Sequence, residues 1–434
     1  MGDVGIVFLG FGRMGRAAHT SFLQASDQLR KNGIEPRLLA VLETDTEVIR
    51  TLPNYTEAKA ILVEDASSQR NAISALLRTE LGLRTEDEFL VYDATPSPCH
   101  QRNLVDVCET FPRALYLGEK PLFTSRSQLS VLDRFADRVL CDFVESQNEA
   151  VLKLLEMQRA GFRIERLRFW RMNSTGLRRL LEPEERGGVT GGALLDKGIH
   201  DLAVTSILLR NQGLLPITPI VSEARNLTLM PDVAHSVKAN GNGNGRADAA
   251  GYAHIEWLSS EPVNTEFSYS WIGVEAFDDL CARIGQPSLR ALLAEHGLYE
   301  DAWLSRAPLE QEAFDQLEQQ EARVLVVDGT EDGRKVRLIV NFLIRPGIHP
   351  FVFHTERREY LNLASHCSSK SSVARIFDLA IGSYVNKRPL ICSPLGSAVI
   401  RQVHRTGFDI RDLAFTKQPL CPTDTWTESF RMVR

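Results

Sequence analysis

The first fifteen residues constrain the fold of this chain most strongly. Residues 5–9 (GIVFL) form a short apolar run without alternation, which is typical of a strand buried on both faces. The run leads directly into GFGRMG at residues 10–15, and a helical pattern follows to about Leu29. The glycines thus have the spacing G-x-G-x-x-G between a strand and a helix. This pattern predicts that a doubly wound α/β domain begins here.

Each glycine of this loop has its own predicted role. Gly10 permits the tight turn, Gly12 lets a pyrophosphate approach the backbone, and Gly15 allows the helix to pack closely on the strand. The positive end of the helix dipole favours the phosphate charge. The sequence therefore predicts a dinucleotide site at this loop. The other loop residues expected to line it are Phe11, Arg13 and Met14.

A second apolar run, RLLAVL at residues 37–42, ends at Glu43. An acidic side chain at this strand end can accept hydrogen bonds from the adenosine ribose and would repel a 2′-phosphate. Glu43 follows the glycines later than the usual spacing of about 20 residues. Its carboxylate favours NAD(H), whereas Arg13 leaves NADP(H) open. The alternative is a solvated strand end from which Thr44 and Asp45 start a turn.

Strand and helix signals continue to alternate after this strand. Residues 53–88 are predicted to be mostly helical, most clearly at 58–63 and 72–81. Residues 89–92 and 114–117 have the composition of buried strands. Such alternation predicts one parallel sheet with helices on its faces.

Two segments are expected at the carboxyl ends of these strands, where parallel sheets bind their ligands. They are DATPSPCH at residues 93–100 and GEKPL at residues 118–122. Lys120 is therefore predicted to point into the same crevice as the glycine loop. Taken alone, Glu-Lys-Pro is more typical of a surface turn.

A further segment, GGALLDKGIHDLAV at residues 191–204, carries an acid–base pair in an apolar helix. Asp196 and His200 are four residues apart, about one helical turn, so both fall on one face. Gly191 and Gly192 precede them and allow close approach to the backbone. The alternative is a helix start at which Asp196 stabilises the dipole and His200 is a satisfied, half-buried histidine.

Composition and charge narrow the class of protein. A length of 434 residues is typical of two domains, and 43% hydrophobic with 24% charged residues is ordinary for a globular protein. The net charge of −6 gives no basic footprint for nucleic acid. No apolar run is long enough to cross a bilayer, and MGDVGIVFLG lacks the basic start of a signal peptide. We therefore expect no nucleic-acid or membrane partner.

Cysteine usage predicts a reducing compartment, and cysteine and histidine spacing predicts no metal site. The seven cysteines are scattered and include no C-x-x-C pair, which favours free thiols over disulfides or a zinc site. The ten histidines include no H-E-x-x-H motif, so no metal site is predicted. Together with the absence of a leader pattern, this predicts a cytoplasmic protein.

The motifs GFGRMGRAAH, GEKPL and GGALLDKGIHD occur in a fixed order that resembles the Gfo/Idh/MocA oxidoreductase family, which includes inositol and sugar dehydrogenases. TPSPCH at residues 95–100 is similar to the family's Thr-Pro-x-x-x-His segment, and the resemblance covers most of residues 3–205. It implies a Rossmann domain over residues 1–143. It further implies an α+β domain over residues 144–434 with a large, mostly antiparallel open sheet.

The second half of the chain agrees with that architecture on its own pattern. Several apolar runs alternate with polar residues, as in a half-buried antiparallel sheet. The predicted strands are residues 164–172, 220–227, 251–258, 265–271, 323–328, 335–344 and 351–360. Helical patterns cover 371–385 and 396–405, and the resemblance implies that these helices pack on the first domain. The open sheet face implies a homodimer or homotetramer.

Two segments depart from the plain family pattern. Residues 277–320 are predicted to be a helical, polar insert, which could shape a pocket, extend a subunit contact or do neither. Residues 238–246 (KANGNGNGR) are a Gly/Asn tract that predicts a mobile loop.

The resemblance implies that Lys120, Asp196 and His200 meet at the nicotinamide as the catalytic residues. Hydride transfer at an alcohol carbon requires movement of a proton on the attached oxygen, which a histidine can accept or donate. Lys120 can stabilise a developing alkoxide, and Asp196 can orient the substrate or stabilise charged His200. The remaining residues expected to line the cofactor crevice are Thr95, Pro96, His100 and Glu119; a plain strand-end turn is the alternative.

Substrate contacts are predicted for four further residues. Glu145 and Asn148 belong to VESQNE, which loosely resembles the family segment after the next strand. Lys197 is adjacent to Asp196 but lies well around the helix. Arg171 belongs to a basic cluster that could bind a substrate phosphate or carboxylate; the other members are Arg168, Arg178 and Arg179. A solvated charged face is the alternative for this cluster.

The sequence thus predicts an NAD(P)-dependent oxidoreductase that transfers hydride between nicotinamide and a secondary alcohol or ketone (a CH–OH group) of a sugar, cyclitol or related polyol. Three alternatives remain open. They are a non-catalytic NAD-sensing regulator, an NAD-dependent glycosidase and a reductase of a non-sugar substrate on the same scaffold.

Overall fold

The computed structural model divides the chain into two compact units. Unit 1 is Met1–Gln147 with Ser368–Arg405, and unit 2 is Asn148–Cys367 with Thr406–Arg434. The structure describes residues 2–63, 72–172, 192–214, 217–228, 248–270, 278, 281–282, 285, 288–298, 305–306, 320–344, 349–363, 371–391 and 393–416. Each unit is built around its own sheet.

Unit 1 contains a six-stranded parallel sheet in the order β3-β2-β1-β4-β5-β6. The strands are β1 (Gly2–Leu9), β2 (Ile34–Glu43), β3 (Lys59–Leu62), β4 (Phe89–Asp93), β5 (Leu115–Glu119) and β6 (Val139–Asp142). The strand order reverses between β1 and β4, which opens a crevice at the carboxyl ends. The predicted doubly wound sheet is confirmed.

Helices connect these strands. They are α1 (Arg13–Lys31), α2 (Thr46–Thr51), α3 (Ala72–Leu81), α4 (Ser97–Thr110) and α5 (Val131–Phe135), with 3-10 turns at Leu52–Asn54, Arg126–Ser130 and Val144–Gln147. Helix α1 is amphipathic, and its buried residues Ala18, Phe22 and Leu29 join the core of unit 1. Such a face stabilises a helix chiefly through tertiary packing.

The prediction of a helix at residues 58–63 is wrong, because Lys59–Leu62 is strand β3. It is an edge strand that pairs with β2, and only Ile61 of its four residues is buried. Four residues are too few for a stable helix, whereas pairing with a sheet edge satisfies their backbone directly. The predicted helix at 72–81 is confirmed as α3.

Unit 2 contains a large, mostly antiparallel sheet in the order β15-β14-β13-β12-β7-β10-β9-β8, in which β7 and β10 are parallel and β11 pairs with β12. The strands are β7 (Arg163–Met172), β8 (Thr218–Thr228), β9 (Asp248–Leu258), β10 (Val263–Ser270), β11 (Ser305–Arg306), β12 (Gln320–Glu331), β13 (Arg334–Asn341), β14 (Phe351–His354) and β15 (Glu359–Tyr360). The predicted large antiparallel sheet is confirmed.

One predicted strand of this sheet is corrected. Residues 351–360 form two short strands, β14 and β15, rather than one. The polar residues between them make a turn in which Arg358 has φ of +54°. A left-handed residue ends the extended backbone, and β15 then folds back to pair with β14.

The helices of unit 2 are α6 (Glu149–Arg159), α7 (Ile199–Asn211) and α8 (Leu289–Glu295). Helix α7 is buried along nearly its whole length from Ile199 to Leu209. A helix that is apolar on most faces belongs in a protein interior. Of the predicted insert at 277–320, helix α8 and the short strand β11 are the described elements. The Gly/Asn tract at 238–246 lies outside the described residues.

Two C-terminal helices complete the described chain, α9 (Ser372–Val385) and α10 (Ser397–Thr416). Helix α9 belongs to unit 1 and packs on α1, where the rings of Phe22 and Phe377 lie 5.7 Å apart. The Ser21 and Ser371 hydroxyls are 2.9 Å apart at the same contact. The core of unit 1 thus includes residues from both ends of the chain.

Candidate functional site

The glycine loop after β1 is shaped to receive an anion. Gly10 has φ of +80°, and a Cβ there would lie 3.1 Å from the backbone of Ala94. A Cβ on Gly15 would lie 2.3 Å from the carbonyl oxygen of Gly10. A Cβ on Gly12 would meet no atom of the described chain within 4 Å. Two glycines therefore permit the local packing, and the third leaves open space beside the backbone.

That open space lies at the start of α1. Gly12 is the N-cap residue and provides no side-chain cap, and the first turn contains no acidic side chain. The first N–H groups of a helix lack intrahelical partners and favour negative charge. Of the predicted loop residues, Arg13 and Met14 are exposed beside this position in the chain, whereas the Phe11 side chain is buried. The local structure fits the pyrophosphate of a dinucleotide.

Glu43 lies against the glycine loop. Its Oε2 accepts a hydrogen bond from the Phe11 backbone N–H at 2.6 Å, and its Oε1 accepts from those of Thr44 and Asp45 at 2.8 and 3.2 Å. Asp45 in turn caps α2 by accepting from Glu47 N at 2.8 Å. Two carboxylates thus stand where the second strand ends beside the loop.

Asp93, which sequence reasoning missed, organises the predicted Thr95–His100 segment. The side chain is wholly buried at the end of β4. Its Oδ1 accepts hydrogen bonds from Thr95 N at 2.8 Å and Thr95 Oγ1 at 2.5 Å, and its Oδ2 accepts from Asn103 at 2.9 Å and from Tyr116 Oη. Pro96 then caps α4. An acidic residue closing a buried strand was the signal available in the sequence.

The Glu-Lys-Pro segment follows β5 directly. Glu119 is the last residue of that strand and pairs in register with Asp142 of β6. Lys120 is half-buried, and the peptide bond to Pro121 is cis. The structure therefore places Lys120 at the carboxyl edge of the sheet, as predicted.

A buried tyrosine joins the carboxyl groups of Glu119 and Asp142. Tyr92 Oη lies 3.1 Å from Glu119 Oε1 and 3.1 Å from Asp142 Oδ2. A phenol has one hydrogen to donate, so two ionised carboxylates could not both be satisfied. One carboxyl group must donate its own proton to the phenol oxygen. Asp142 is the more deeply buried of the two.

The surroundings of Asp142 favour its neutral form. Burial raises the pKa of Asp142 well above its usual range and the charge of Glu119 raises it further, against the contact with the Tyr92 hydroxyl and the charge of Lys120. Its Oδ1 accepts no hydrogen bond within the described ranges. A neutral acid loses less than a carboxylate by leaving that oxygen unbonded. We infer the order Asp142–Tyr92–Glu119, each group donating to the next.

We expect a protonated carboxylic acid in the folded protein at pH values where an ordinary aspartate is ionised, visible as a carbonyl stretch in infrared difference spectra between wild type and Asp142→Asn. The unfolded chain releases this proton above about pH 4, so the native state holds more protons and wild-type stability falls as pH rises. As pH rises, the free energy of unfolding of Asp142→Asn should therefore increase relative to that of wild type. The increase is up to about 1.4 kcal/mol per pH unit until the raised pKa of Asp142 is reached. A pH-independent difference and no carbonyl band would contradict the assignment.

Asp196 and His200 lie at the start of the buried helix of unit 2. Leu194–Gly198 forms a π-helical turn that leads into α7, and Gly192 before it has φ of +75°. Both side chains are buried, at 4% and 6% exposure. Single π-turns often occur at functional sites because they change which side chains share a face. Gly191 lies outside the described residues.

Lys197 is closer to Asp196 than its helical position suggests. Its Nζ lies 3.3 Å from Asp196 Oδ2, and both side chains are largely shielded from solvent. The ammonium thus compensates the carboxylate directly. Asp196 acts at the helix start together with this cation.

The two described arginines of the basic cluster, Arg168 and Arg171, are buried, so they do not form a solvated charged face. Arg171 donates from Nε to Asp201 Oδ1 at 2.8 Å, and both side chains are buried. Arg168 lies 3.3 Å from Asp328, which Arg337 also contacts at 2.6 Å. Arg178 and Arg179 lie outside the described residues.

The Arg171–Asp201 pair ties β7 to α7 next to His200, and removing one partner of such a buried pair is strongly destabilising. Asp201 was missed by sequence reasoning, although it follows His200 directly. This pair holds in place the helix that carries His200.

Asn148 and Glu145, both predicted to contact substrate, lie in the turn and helix start that follow β6. Asn148 caps α6 by accepting a hydrogen bond from Ala150 N at 3.0 Å, and it donates to the Phe342 carbonyl oxygen at 3.2 Å. Glu145 is buried in the 3-10 turn Val144–Gln147. Within the described residues, no cluster of three or more His, Cys, Asp or Glu could hold a metal ion, and no helix has the length and apolar character to cross a membrane.

Comparison with known proteins finds matches among solved structures. UDP-N-acetylglucosamine 3-dehydrogenase from Acidithiobacillus ferrooxidans aligns at 14% identity over 96% of this chain and 99% of its own, with a TM-score of 0.56. Scyllo-inositol dehydrogenase from Lactobacillus casei, with bound NAD(H) and scyllo-inositol, aligns at 10% identity over 95% and 97%, with a TM-score of 0.57. A 3-ketoreductase from Actinomadura kijaniata in complex with NADP aligns at 13% identity over 94% of this chain and 97% of its own, with a TM-score of 0.58.

The chain has the fold of Gfo/Idh/MocA-type oxidoreductases. No protein-family model and no curated protein sequence matches it. The likeness is therefore one of fold over nearly the whole chain, at low sequence identity.

Proposed function

We propose that this protein is an NAD(P)-dependent oxidoreductase that moves hydride between nicotinamide and a secondary alcohol or ketone of a sugar, cyclitol or related polyol. The observation that carries the proposal is the glycine loop, with open space at Gly12 before an uncapped helix start. The fold supports it, because solved structures with this fold include a dehydrogenase that holds NAD(H) and a ketoreductase that holds NADP.

NAD(H) is the cofactor that the loop favours. Glu43 and Asp45 place two negative charges at the end of β2, beside the glycine loop. A 2′-phosphate at that strand end would be repelled, whereas ribose hydroxyls could donate to carboxylate oxygens. Arg13 is exposed and is the residue through which NADP(H) could still bind.

The bound nicotinamide supplies the hydride chemistry, and this chain supplies placement and proton movement. Lys120 donates a hydrogen bond to the reacting oxygen and stabilises negative charge as it develops there. His200 accepts the proton from that oxygen, or returns it in the reverse direction. Asp196 orients the substrate or stabilises charged His200, and Lys197 balances its carboxylate.

We further propose a cytoplasmic homodimer or homotetramer that associates through the sheet of unit 2. The described cysteines Cys99, Cys108, Cys141 and Cys281 are free thiols, which is compatible with a reducing compartment. The small-molecule substrate is the remaining partner.

A spectrophotometric screen tests the function. Purified protein is mixed with NAD or NADP and a panel of inositols, free sugars, sugar phosphates, nucleotide sugars and their keto forms, and the reduced-nicotinamide absorbance is followed. We expect turnover with one subgroup and a higher kcat/KM with NAD than with NADP. Cofactor binding without turnover would indicate a sensor. Release of a sugar without a net absorbance change would indicate a glycosidase. Turnover confined to a non-sugar carbonyl or imine would move the substrate outside polyols.

A further inference from the structure

Two buried histidines hold the loop that follows Lys120. His100 lies on α4 and His404 on α10, and their side chains have exposures of 1% and 0%. Both are in unit 1. The groups they contact belong to consecutive residues of the loop, which are Pro121, Leu122 and Phe123.

His404 accepts hydrogen bonds from this loop. Its Nδ1 lies 2.9 Å from the carbonyl oxygen of Ile400, so Nδ1 carries the ring hydrogen. Its Nε2 lies 3.2 Å from Leu122 N and 3.3 Å from Phe123 N, both of which are donors. Burial, with a smaller contribution from nearby His100, lowers the pKa of His404 to about 4 against the opposing effect of the hydrogen bond to Ile400. The ring is therefore neutral near pH 7 and Nε2 remains an acceptor.

His100 bonds to the loop in the opposite sense. Its Nδ1 lies 3.0 Å from the Pro121 carbonyl oxygen and its Nε2 lies 2.7 Å from that of Thr95. A carbonyl oxygen only accepts, so the ring hydrogen on Nδ1 is donated to Pro121; donation from both nitrogens at once would require the imidazolium form. The two histidines thus bond to the backbone after Lys120 at three groups, the carbonyl oxygen of Pro121 and the N–H groups of Leu122 and Phe123. Leu122 and Phe123 are fully buried, so water cannot replace a lost partner.

We propose that His404 is a positioning residue for Lys120, with His100 as its counterpart on the opposite side of the loop. His404 fixes the backbone immediately after Lys120 and so sets where the lysine ammonium can reach. The inference rests on the role proposed above for Lys120. A displacement of about 1 Å at a reacting group can cost about 100-fold in rate.

Two substitutions separate positioning from bulk packing. His404→Phe keeps a ring for the edge contact with Phe123, whose ring centroid lies 5.4 Å away, but it has no acceptor. His404→Gln restores an acceptor oxygen near the position of Nε2. We expect His404→Phe to lower kcat about 10- to 100-fold with unchanged NAD affinity, and His404→Gln to recover most of the loss.

Hydrogen exchange measured by mass spectrometry tests the hydrogen bonds between His404 and the loop directly, without any substrate. The peptide that contains Leu122 and Phe123 should exchange faster in His404→Phe and at nearly the wild-type rate in His404→Gln. A loosened loop with unchanged kcat would overturn the proposal. His354→Phe is the matched control, because His354 is equally buried but lies in unit 2, 3.5 Å from Glu331.

A double-mutant cycle decides whether His404 acts through Lys120. In a Lys120→Ala background, His404→Phe should cause no further loss of kcat. An undiminished further loss would overturn the positioning role, whereas full turnover of Lys120→Ala itself would instead remove the catalytic role proposed for Lys120, on which this inference rests. If the phenylalanine variant does not fold, His404→Asn replaces it, since the shorter amide can still donate to Ile400 but not reach the loop.

Discussion

Lys120→Ala is expected to lower turnover by roughly 10²–10⁴ and to leave NAD binding nearly unchanged. The variant removes the ammonium proposed to bind the reacting oxygen. It leaves the glycine loop and the Glu43 carboxylate in place, and these are the groups proposed to hold the pyrophosphate and ribose. Steady-state kinetics with the substrate found in the screen, together with calorimetric titration of NAD, measures both quantities.

His200→Ala should produce a loss of the same order, because the proton of the reacting oxygen would then have no acceptor. Lys59→Ala is the matched control for the lysine variant. Lys59 is on β3 of unit 1, where its Nζ bonds to Glu80 at the surface. Exposed ion pairs of that kind contribute little, so kcat should not change. Near-wild-type turnover in both Lys120→Ala and His200→Ala would eliminate the proposed mechanism.

Gly12→Val is expected to weaken dinucleotide binding about 100-fold while the protein stays folded. A Cβ at Gly12 meets no described atom within 4 Å, so the first carbon of the new side chain meets no steric barrier from the described residues. The valine would fill the space proposed for the pyrophosphate. Losing two hydrogen bonds to a charged group, at about 1.5 kcal/mol each, corresponds to affinity weaker by about 100-fold. Calorimetric titration of NAD and thermal unfolding measure the two effects.

Gly382→Val is a suitable control for that variant. A Cβ at Gly382 also meets no described atom within 4 Å, and the residue lies on α9 of the same unit, outside the glycine loop. It should keep wild-type NAD affinity. Gly15→Val should instead destabilise unit 1, because its Cβ would lie 2.3 Å from Gly10 O. Wild-type NAD affinity in Gly12→Val would exclude this loop as the phosphate site.

The parts of the fold that were predictable from sequence are those with local signals. The strand, glycine loop and helix at residues 2–31 are contiguous, and their spacing alone defines the local geometry. The helix predicted at 58–63 was wrong because a four-residue apolar segment carries no usable period, and pairing with β2 decided its structure. The strand predicted at 351–360 was interrupted by a left-handed turn at Arg358, a residue type that gives no warning of it.

The candidate site was predictable only in part, and the roles assigned to its residues remain predictions. Lys120 and Glu43 could be located because strand ends are visible in the sequence. The groups that hold such residues were not visible, since they depend on tertiary proximity. His404 lies 282 positions from Leu122, and Tyr92 lies 50 positions from Asp142. Asp93 and Asp142 did leave one signal, since each is an acidic residue that closes an apolar strand.

The return of the chain to unit 1 has a consequence for biosynthesis. Helix α9 supplies Phe377 to the core shared with α1, and α10 supplies His404 to the loop after Lys120. During translation, residues 2–147 leave the ribosome without these partners. Part of the apolar surface of this nascent unit therefore stays uncovered until the intervening part of unit 2 and then α9 have been synthesised. Unit 1 is therefore begun first and completed only after residues 148–367 of unit 2 have been made.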